Sequence, residues 1–173
     1  MRRNKAITAD NQQERLKTKG WIVGYTDGEG CFTVSIVRNR RSRFKWQVFP
    51  EFVITQGEKS LESLNFIKKW FGCGHIFINK RYDNHNEHLY RYCVRSIKDL
   101  AEIIVPFFEK NLLKTSKKKD FQKFREIVYM MQGQKHFRKS GLLKIARISA
   151  GMNRKVASKV LRILRDYTSD RSI

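Results

Sequence analysis

The sequence has few acidic residues, no paired cysteines and no long apolar run, and each shortage excludes a class of protein. No apolar stretch approaches the roughly 20 residues that span a bilayer, and the first residues lack the apolar core of a signal peptide. We therefore expect the protein to be located in the cytoplasm, or in the interior of an organelle if an organelle genome encodes it. Cys31, Cys73 and Cys93 are odd in number and lie outside any C-x-x-C pair, which argues against a disulfide framework or a zinc site.

The shortage of acids leaves a large excess of positive charge. Lys and Arg number 37 against 16 Asp and Glu, for a formal net charge of +21 and a pI near 10.3. Such an excess implies a polyanionic partner, with nucleic acid as the first candidate. Because the basic residues are scattered along the chain rather than collected in one amphipathic helix, we expect no membrane binding.

Hydrophobic periodicity divides the chain into alternating helices and hairpins. Apolar residues at helical spacing predict three helices, at about 13–27, 58–71 and 97–108, the last capped by Ser96. Period-two alternation predicts two hairpins, at 31–56 and 75–96, and Pro50 within the first favours an edge or a bulge there. The fold class is therefore α+β.

At 173 residues the chain is most simply one domain. We divide it into a flexible N-terminal arm at residues 1–12, a core at 13–132, and a C-terminal helical extension of the same domain at 133–173. The extension contains two apolar-striped segments broken at Gly151, and we expect these to pack against the core.

The first predicted helix contains glycines four residues apart, which places them on one face. Each costs about 1 kcal/mol relative to alanine, so a helix end with C-cap glycines does not explain the whole stripe. Small residues let two helices approach closely, and the obvious second helix is the same one in another copy. We therefore predict a twofold homodimer. Its predicted interface comprises Gly20, Val23, Gly24, Asp27 and Gly28.

Two acids, Asp27 and Glu29, end this helix in a chain that is otherwise basic. They face the negative end of the helix dipole, at a cost of a few tenths to about 1 kcal/mol each. In a twofold dimer the two acidic tips approach each other, so a positive group must lie between them. Oxygen ligands with open positions suit Mg²⁺, and metal ions beside a phosphodiester stabilise in-line displacement. We predict Mg²⁺ as the cofactor, with Mn²⁺ or Ca²⁺ able to substitute for binding.

The segment I-V-G-Y-T-D-G-E-G, Ile22 to Gly30, resembles the LAGLIDADG motif of the homing endonucleases. Glycines occupy its third and ninth places and acids its sixth and eighth, with Glu29 where aspartate is commoner. The order of elements that follows extends the resemblance over roughly residues 13–130. It implies the αββαββα homing-endonuclease fold, with an antiparallel β saddle and additional C-terminal helices. A motif that occurs once implies the homodimeric class.

The resemblance also implies a function and the residues that perform it. The function is intron-encoded, site-specific cleavage of both strands of a long pseudo-palindromic DNA duplex by metal-dependent hydrolysis. Glu29 and the Gly28 carbonyl would bind the metals, and Asp27 would cap or brace the partner helix. Gln56 would position the attacking water, although a strand-end hydrogen bond is an equal reading. Lys117, or else Lys118 or Lys114, would lie near the scissile phosphate, although a solvated helix start explains lysines equally well.

If one face of each hairpin packs on helices, the other forms a saddle that fits the major groove. The outward set includes the apolar or sulfur-bearing residues Cys31, Phe49, Val53, Phe77 and Cys93. The predicted base contacts are Thr33, Ser35, Val37, Asn39, Lys45, Gln47, Glu51, Asn79, Arg81, Arg91 and Arg95. Loop cations would contact phosphates and supply affinity without sequence information. They are Arg38, Arg40, Arg41, Arg43, Lys80 and Arg81.

Three other functions remain open. His85 and His88, in N-H-N-E-H, suggest an H-N-H nuclease or a metal site, but they crowd into one hairpin loop instead of spreading through a strand-and-helix unit. An RNA maturase or DNA-binding regulator of the same fold would bind without cutting, with intron RNA as the maturase's partner. A generic basic RNA-binding protein would need neither the glycine stripe nor the terminal acid.

Overall fold

Helix α1, Ala9–Glu29, leads directly into the sheet. In the computed structural model, which describes residues 9–80, 88–152 and 163, this helix begins before the predicted Gln13. Residues 9–12 therefore belong to α1 and not to the predicted arm, whose remainder, 1–8, lies outside the described residues. Ala9 is a strong helix former, and Asp10 is favourable in the first turn of a helix.

Four antiparallel strands form one sheet in the order β1-β2-β4-β3. They are β1 Gly30–Arg38, β2 Trp46–Gly57, β3 His75–Asn79 and β4 Leu89–Val94. Pro50 pairs with Val34 of β1, whereas the pairing of β2 with β4 begins only at Phe52. At Pro50, β2 therefore pairs with β1 but not with β4, so this part of the strand is an edge, as predicted.

Helices cover one face of the sheet and enclose an aromatic core. Phe32 stacks on Phe52 with ring centroids 5.1 Å apart and also contacts Phe108 and Phe124 at 5.4 and 5.3 Å. Helix α2, Leu61–Phe71, follows a 3-10 turn at Glu58–Ser60 and buries its apolar stripe in this core. It ends at Gly72, whose φ of 65° is the left-handed conformation expected of a C-cap glycine.

The remaining described helices agree with the predicted α+β class, whereas the second C-terminal segment, after Gly151, lies outside the described residues except for 152 and 163. These helices are α3 Ile97–Asp99, a π-helical stretch Leu100–Ile104, α4 Val105–Lys110, α5 Lys117–Gln132, a 3-10 turn Lys135–Phe137 and α6 Lys139–Ala150. Ser96 caps α3 as expected, since its side chain accepts a hydrogen bond from the Asp99 N–H at 3.3 Å. Leu142 and Ile145 of α6 are buried in the common core. No helix in the described ranges is both long and apolar enough to cross a membrane.

The face of the sheet away from the helices differs from the predicted saddle at several positions. Val53 and Cys93 are buried, since they pair with each other at the centre of this face. Lys45 lies in the β1–β2 turn with a φ of 60°, where its N–H donates to the Ser42 carbonyl at 2.9 Å, and so it is not a strand residue. Arg38 ends β1 with its guanidinium 5.1 Å from the Trp46 ring centroid, so it is not a loop cation. Arg81 and His85 lie outside the described residues.

Candidate functional site

The helix–strand junction at Gly30 places Glu29 at an exposed tip. Thr26, one turn earlier, is fully buried. A Cβ added to Gly30 would lie 2.6 Å from Thr26 Cγ2 and 2.8 Å from the Thr26 carbonyl oxygen. Only glycine lets the chain leave α1 this tightly, and the ninth place of the motif is thereby explained by close packing.

Lys117 supplies a positive charge at this helix end from within the chain. Its ammonium donates to the carbonyl oxygens of Thr26 at 3.2 Å, Asp27 at 2.8 Å and Gly28 at 2.8 Å. These carbonyls belong to the last turn of α1, where backbone acceptors lack helical partners and the dipole is negative. The structure therefore places the Lys117 ammonium against the helix end itself, and the role of Lys117 beside a phosphate stays a prediction.

The carboxylate of Asp27 binds the segment that leads into α5 of its own chain. It accepts hydrogen bonds from the Lys114 N–H at 2.7 Å, the Thr115 N–H at 3.2 Å and the Thr115 hydroxyl at 2.7 Å. Burial alone would raise the pKa of Asp27, but these hydrogen bonds and the charge of Lys117 outweigh it and lower the pKa. Asp27 thus braces the segment before α5 in its own chain, and its role against a partner helix stays a prediction.

Sequence reasoning missed Thr115 as the partner of Asp27. A threonine shortly before a helix start is a common capping residue, so its type was a usable signal. Its pairing with a residue on α1 depends on how α5 docks against the sheet. The local sequence does not encode that geometry.

The glycine stripe on α1 faces away from the rest of the chain. A Cβ added at Gly20, Gly24 or Gly28 meets no atom of the described residues within 4 Å. Trp21 borders the stripe, is 41% exposed, and packs edge-on against the exposed Phe66 with ring centroids 5.5 Å apart. Val23 differs from its predicted place at the interface, because it is buried in the chain's own core. Packing within one described chain thus gives no reason for the three glycines.

Gln56 lies near the end of β2, beside the end of α1. Its position follows from the register, since Gly30 pairs with Ile54 and Gln56 is the second residue after Ile54. By strand alternation it shares the face of Ile54, and its side chain is partly exposed. The register places Gln56 near the strand end that neighbours Glu29, but the structure describes no direct contact between the two side chains.

The oxygen atoms at the end of α1 fit a divalent metal only in an open site, in which other ligands complete the coordination. No group of three or more His, Cys, Asp or Glu side chains that could hold a metal occurs among the described residues. Glu29 offers an exposed carboxylate, and the Gly28 carbonyl retains a second lone pair beside Lys117. Mg²⁺ suits such a set, because it commonly binds one or two carboxylates while keeping waters and phosphate oxygens.

Most of the predicted DNA-contacting residues are exposed, on the outer face of the sheet, in the turn between β1 and β2, or at strand ends. The exposed ones are Ser35, Val37, Arg38, Arg40, Arg41, Arg43, Lys45, Gln47, Asn79, Lys80 and Arg95, while Thr33, Asn39, Glu51 and Arg91 are partly exposed. The Asn39 amide donates to the Gln47 amide oxygen at 2.6 Å, and the Thr33 hydroxyl donates to the Glu51 carbonyl at 3.4 Å. Glu51 forms ion pairs with Arg91 and Arg95, which the sequence analysis did not anticipate.

Comparison with known proteins identifies the family. Residues 22–128 match the family model described as LAGLIDADG endonuclease. Homing endonuclease I-ApeII of Aeropyrum pernix is 34% identical over 120 residues, which are 69% of this chain and 68% of that protein. Probable intron-encoded endonuclease 2 of Neurospora crassa is 36% identical over 135 residues, 77% of this chain but 28% of its own length. The chain thus spans about a quarter of this and of a second Neurospora relative.

Solved structures share the fold. The crystal structure of the homing endonuclease I-TnaI has a TM-score of 0.75 and 40% identity, covering 86% of this chain and 96% of that one. I-SmaMI, bound to an uncleaved DNA target in the presence of calcium ions, has a TM-score of 0.72 and 32% identity, covering 79% and 45%. With the family match over most of the core, these likenesses show that the chain belongs to the LAGLIDADG endonuclease family.

Proposed function

We propose that the protein is an intron-encoded homing endonuclease that cleaves both strands of a long pseudo-palindromic DNA site as a homodimer. The observation that carries the proposal is the end of α1, where the exposed Glu29 lies beside carbonyls held by Lys117. The net charge of +21 supports a nucleic-acid partner. In a protein that only binds DNA, an exposed carboxylate such as Glu29, which forms no ion pair among the described residues, would only weaken the attraction to phosphates.

Each group at this helix end has a definite task in hydrolysis. Glu29 and the Gly28 carbonyl would hold a divalent ion, Mg²⁺ or, for binding alone, Mn²⁺ or Ca²⁺. When bound, the ion would lower the pKa of a water and stabilise charge on the phosphate. Lys117 keeps the Gly28 carbonyl in position and places a cation within reach of a phosphate. Gln56, at the neighbouring strand end, would orient the attacking water.

The dimer proposal rests on the exposed stripe of Gly20, Gly24 and Gly28. Each glycine weakens an isolated helix by about 1 kcal/mol relative to alanine, and in one chain an added Cβ would meet open space. If a second α1 packs against the first across a twofold axis, the glycines allow the two helix backbones to approach closely. This packing would also bring the two Glu29 carboxylates together and cover the exposed Trp21.

The cleavage test uses a plasmid that carries the uninterrupted host gene, with and without Mg²⁺. Wild-type protein is expected to linearise it only with Mg²⁺, and Glu29→Gln to bind the same DNA without nicking it. Glu14→Gln is the matched control, because Glu14 is an exposed acid about 22 Å away along the same helix. Cleavage by Glu29→Gln at the wild-type rate would contradict the assignment. Binding to intron RNA without cleavage would instead support the maturase.

The dimer test uses Gly24→Ala. In a monomer this change fills open space and should stabilise the helix by about 1 kcal/mol. Across a close helix pair the new methyl group pushes the backbones apart, so we expect a larger dimer dissociation constant in sedimentation equilibrium and weaker cleavage. Gly133→Ala, at a surface glycine with an ordinary φ of −76°, is the control. A monomeric wild-type protein on its duplex would exclude the proposed assembly.

A further inference from the structure

Glu51 lies between two arginines on the outer face of the sheet. One of its carboxylate oxygens is 3.3 Å from Arg91 Nη2, and the other forms an ion pair with Arg95 Nε. The register explains this convergence, since Val53 pairs with Cys93 and the two arginines flank Cys93 in sequence. The Glu51 side chain is only 16% exposed, whereas those of Arg91 and Arg95 are 36% and 57% exposed. The acid is thus the inner member of the cluster.

Arg95 is held by a second contact. Its guanidinium carbon lies 5.2 Å from the ring centroid of Phe77, a residue of β3 that is 44% exposed. A guanidinium that lies over an aromatic ring and pairs with a carboxylate has fewer orientations available before any ligand arrives. The remaining N–H groups of Arg95 therefore face solvent from a fixed position.

Electrostatic attraction to DNA does not explain Glu51. A carboxylate on a surface that faces phosphates reduces the attraction, and here it leaves one net positive charge from two arginines and one glutamate. The neighbouring thiol adds no negative charge at neutral pH, because burial, followed by the charge of Glu51, raises the pKa of Cys93 to about 11. The acid weakens attraction but fixes two planar donors.

We infer that Glu51 is a positioning residue for base recognition, holding Arg91 and Arg95 in the orientation that discriminates guanine in the major groove. This rests on the proposed function, since it assumes that the outer face of the sheet meets duplex DNA. Arginine donates two parallel hydrogen bonds to the O6 and N7 atoms of guanine, and this geometry needs a correctly oriented pair of guanidinium N–H groups, here called the fork. A fork that is already oriented avoids the entropy cost of ordering the side chain on binding. A free arginine would contact phosphates and several bases with less discrimination.

The test compares the sequences that wild-type protein and Glu51→Gln select from a library of randomised duplexes. For Glu51→Gln we expect guanine preference to fall about tenfold at one or two base pairs in each half-site. Affinity for unrelated duplex should stay equal or rise, since a negative charge is removed. Glu109→Gln is the matched control, because Glu109 pairs with Arg125 at 3.4 Å on the helical side of the molecule. Its selected sequences should equal those of wild type.

The outcomes separate this inference from the proposed function. If wild-type protein selects a defined site and Glu51→Gln selects the same site with the same preference, the inference is overturned and the proposed function stands. If wild-type protein selects no sequence, site-specific recognition fails and the inference fails with it. Arg95→Lys provides a second variant should Glu51→Gln not fold, because it keeps the charge and removes the fork. It must lose guanine preference at the same base pair, and unchanged preference overturns the inference.

Discussion

Two helices of this protein end against lysines of α5, and the two helix ends differ in their charges. At α1, the Lys117 ammonium binds three carbonyls beside Asp27 and Glu29, and the last turn of the helix has no basic residue. At α6, the Lys123 ammonium donates to the Gly151 carbonyl at 2.6 Å, and the last turn contains Arg147 in place of acids. Both lysines offset a helix dipole, and of the two Lys117 also acts on a carboxylate, that of Asp27.

The same contact, a lysine ammonium on the carbonyls of a helix end, thus occurs in two different electrostatic settings. At α6 a cation meets an ordinary helix end, so stability alone explains it. At α1 the same contact keeps two acids at the negative end of a dipole, which is an unfavourable place for them. The proposed metal-binding role of Glu29 would account for this unfavourable placement. Substitutions at the two lysines should therefore have different consequences.

The largest effect is expected for Lys117→Met. The change removes three charge-assisted hydrogen bonds from the end of α1 and the positive charge that acts on Asp27. We expect the cleavage rate to fall roughly 100-fold or more, as for other groups that stabilise developing charge. The free energy of unfolding should also fall by about 1–2 kcal/mol. Single-turnover cleavage and urea denaturation measure the two quantities.

Lys118→Met tests whether position 117 is the correct one. Lys118 is exposed, and its side chain has no described contact with α1, although it belongs to the same lysine run. We expect near wild-type cleavage and stability for this variant. A loss at Lys118 equal to that at Lys117 would mean that total charge at the start of α5 matters more than contact with the helix end.

Hydrophobic periodicity sufficed for the fold because each element buries one face against the same core. The alternation of Phe32, Val34 and Ile36 set the inward side of β1, and Gly72 marked the end of α2, as observed. Position 45 was misassigned because the preceding loop forms its own hydrogen-bonded turn, in which Lys45 adopts a positive φ. Turn geometry of this kind does not show in an apolar pattern.

Residues of the candidate site could be predicted from the sequence only where local helix geometry determines their position. Glu29 and the glycine stripe follow from helix geometry and dipoles. The partners of Asp27 do not, because Lys114 and Thr115 reach it from a segment far along the chain. The pairing of Glu51 with Arg91 and Arg95 likewise requires the β2–β4 register, which no local pattern specifies.

An intermediate effect is expected for Asp27→Asn. The amide keeps one acceptor oxygen but turns a donor toward either the Lys114 or the Thr115 N–H, so at least one hydrogen bond is lost. The segment that positions Lys117 should then shift, with about 1–2 kcal/mol less stability. We expect about tenfold slower cleavage, which corresponds to about 1.4 kcal/mol in the barrier. DNA affinity in a filter-binding assay should be unchanged, and a large loss of affinity would show that Asp27 acts elsewhere.

Lys123→Met makes the same chemical change at the other helix end, and we expect it to leave cleavage unchanged. The described hydrogen bond of the Lys123 ammonium goes to the Gly151 carbonyl, and none goes to the tip of α1. Its loss should lower the free energy of unfolding by about 0.3–1 kcal/mol, the usual value of a cation at a helix C-terminus. Cleavage at a temperature well below the unfolding midpoint should match wild type. If Lys123→Met slowed cleavage as much as Lys117→Met, both lysines would act through overall charge on DNA binding, and the distinction between the two helix ends would be lost.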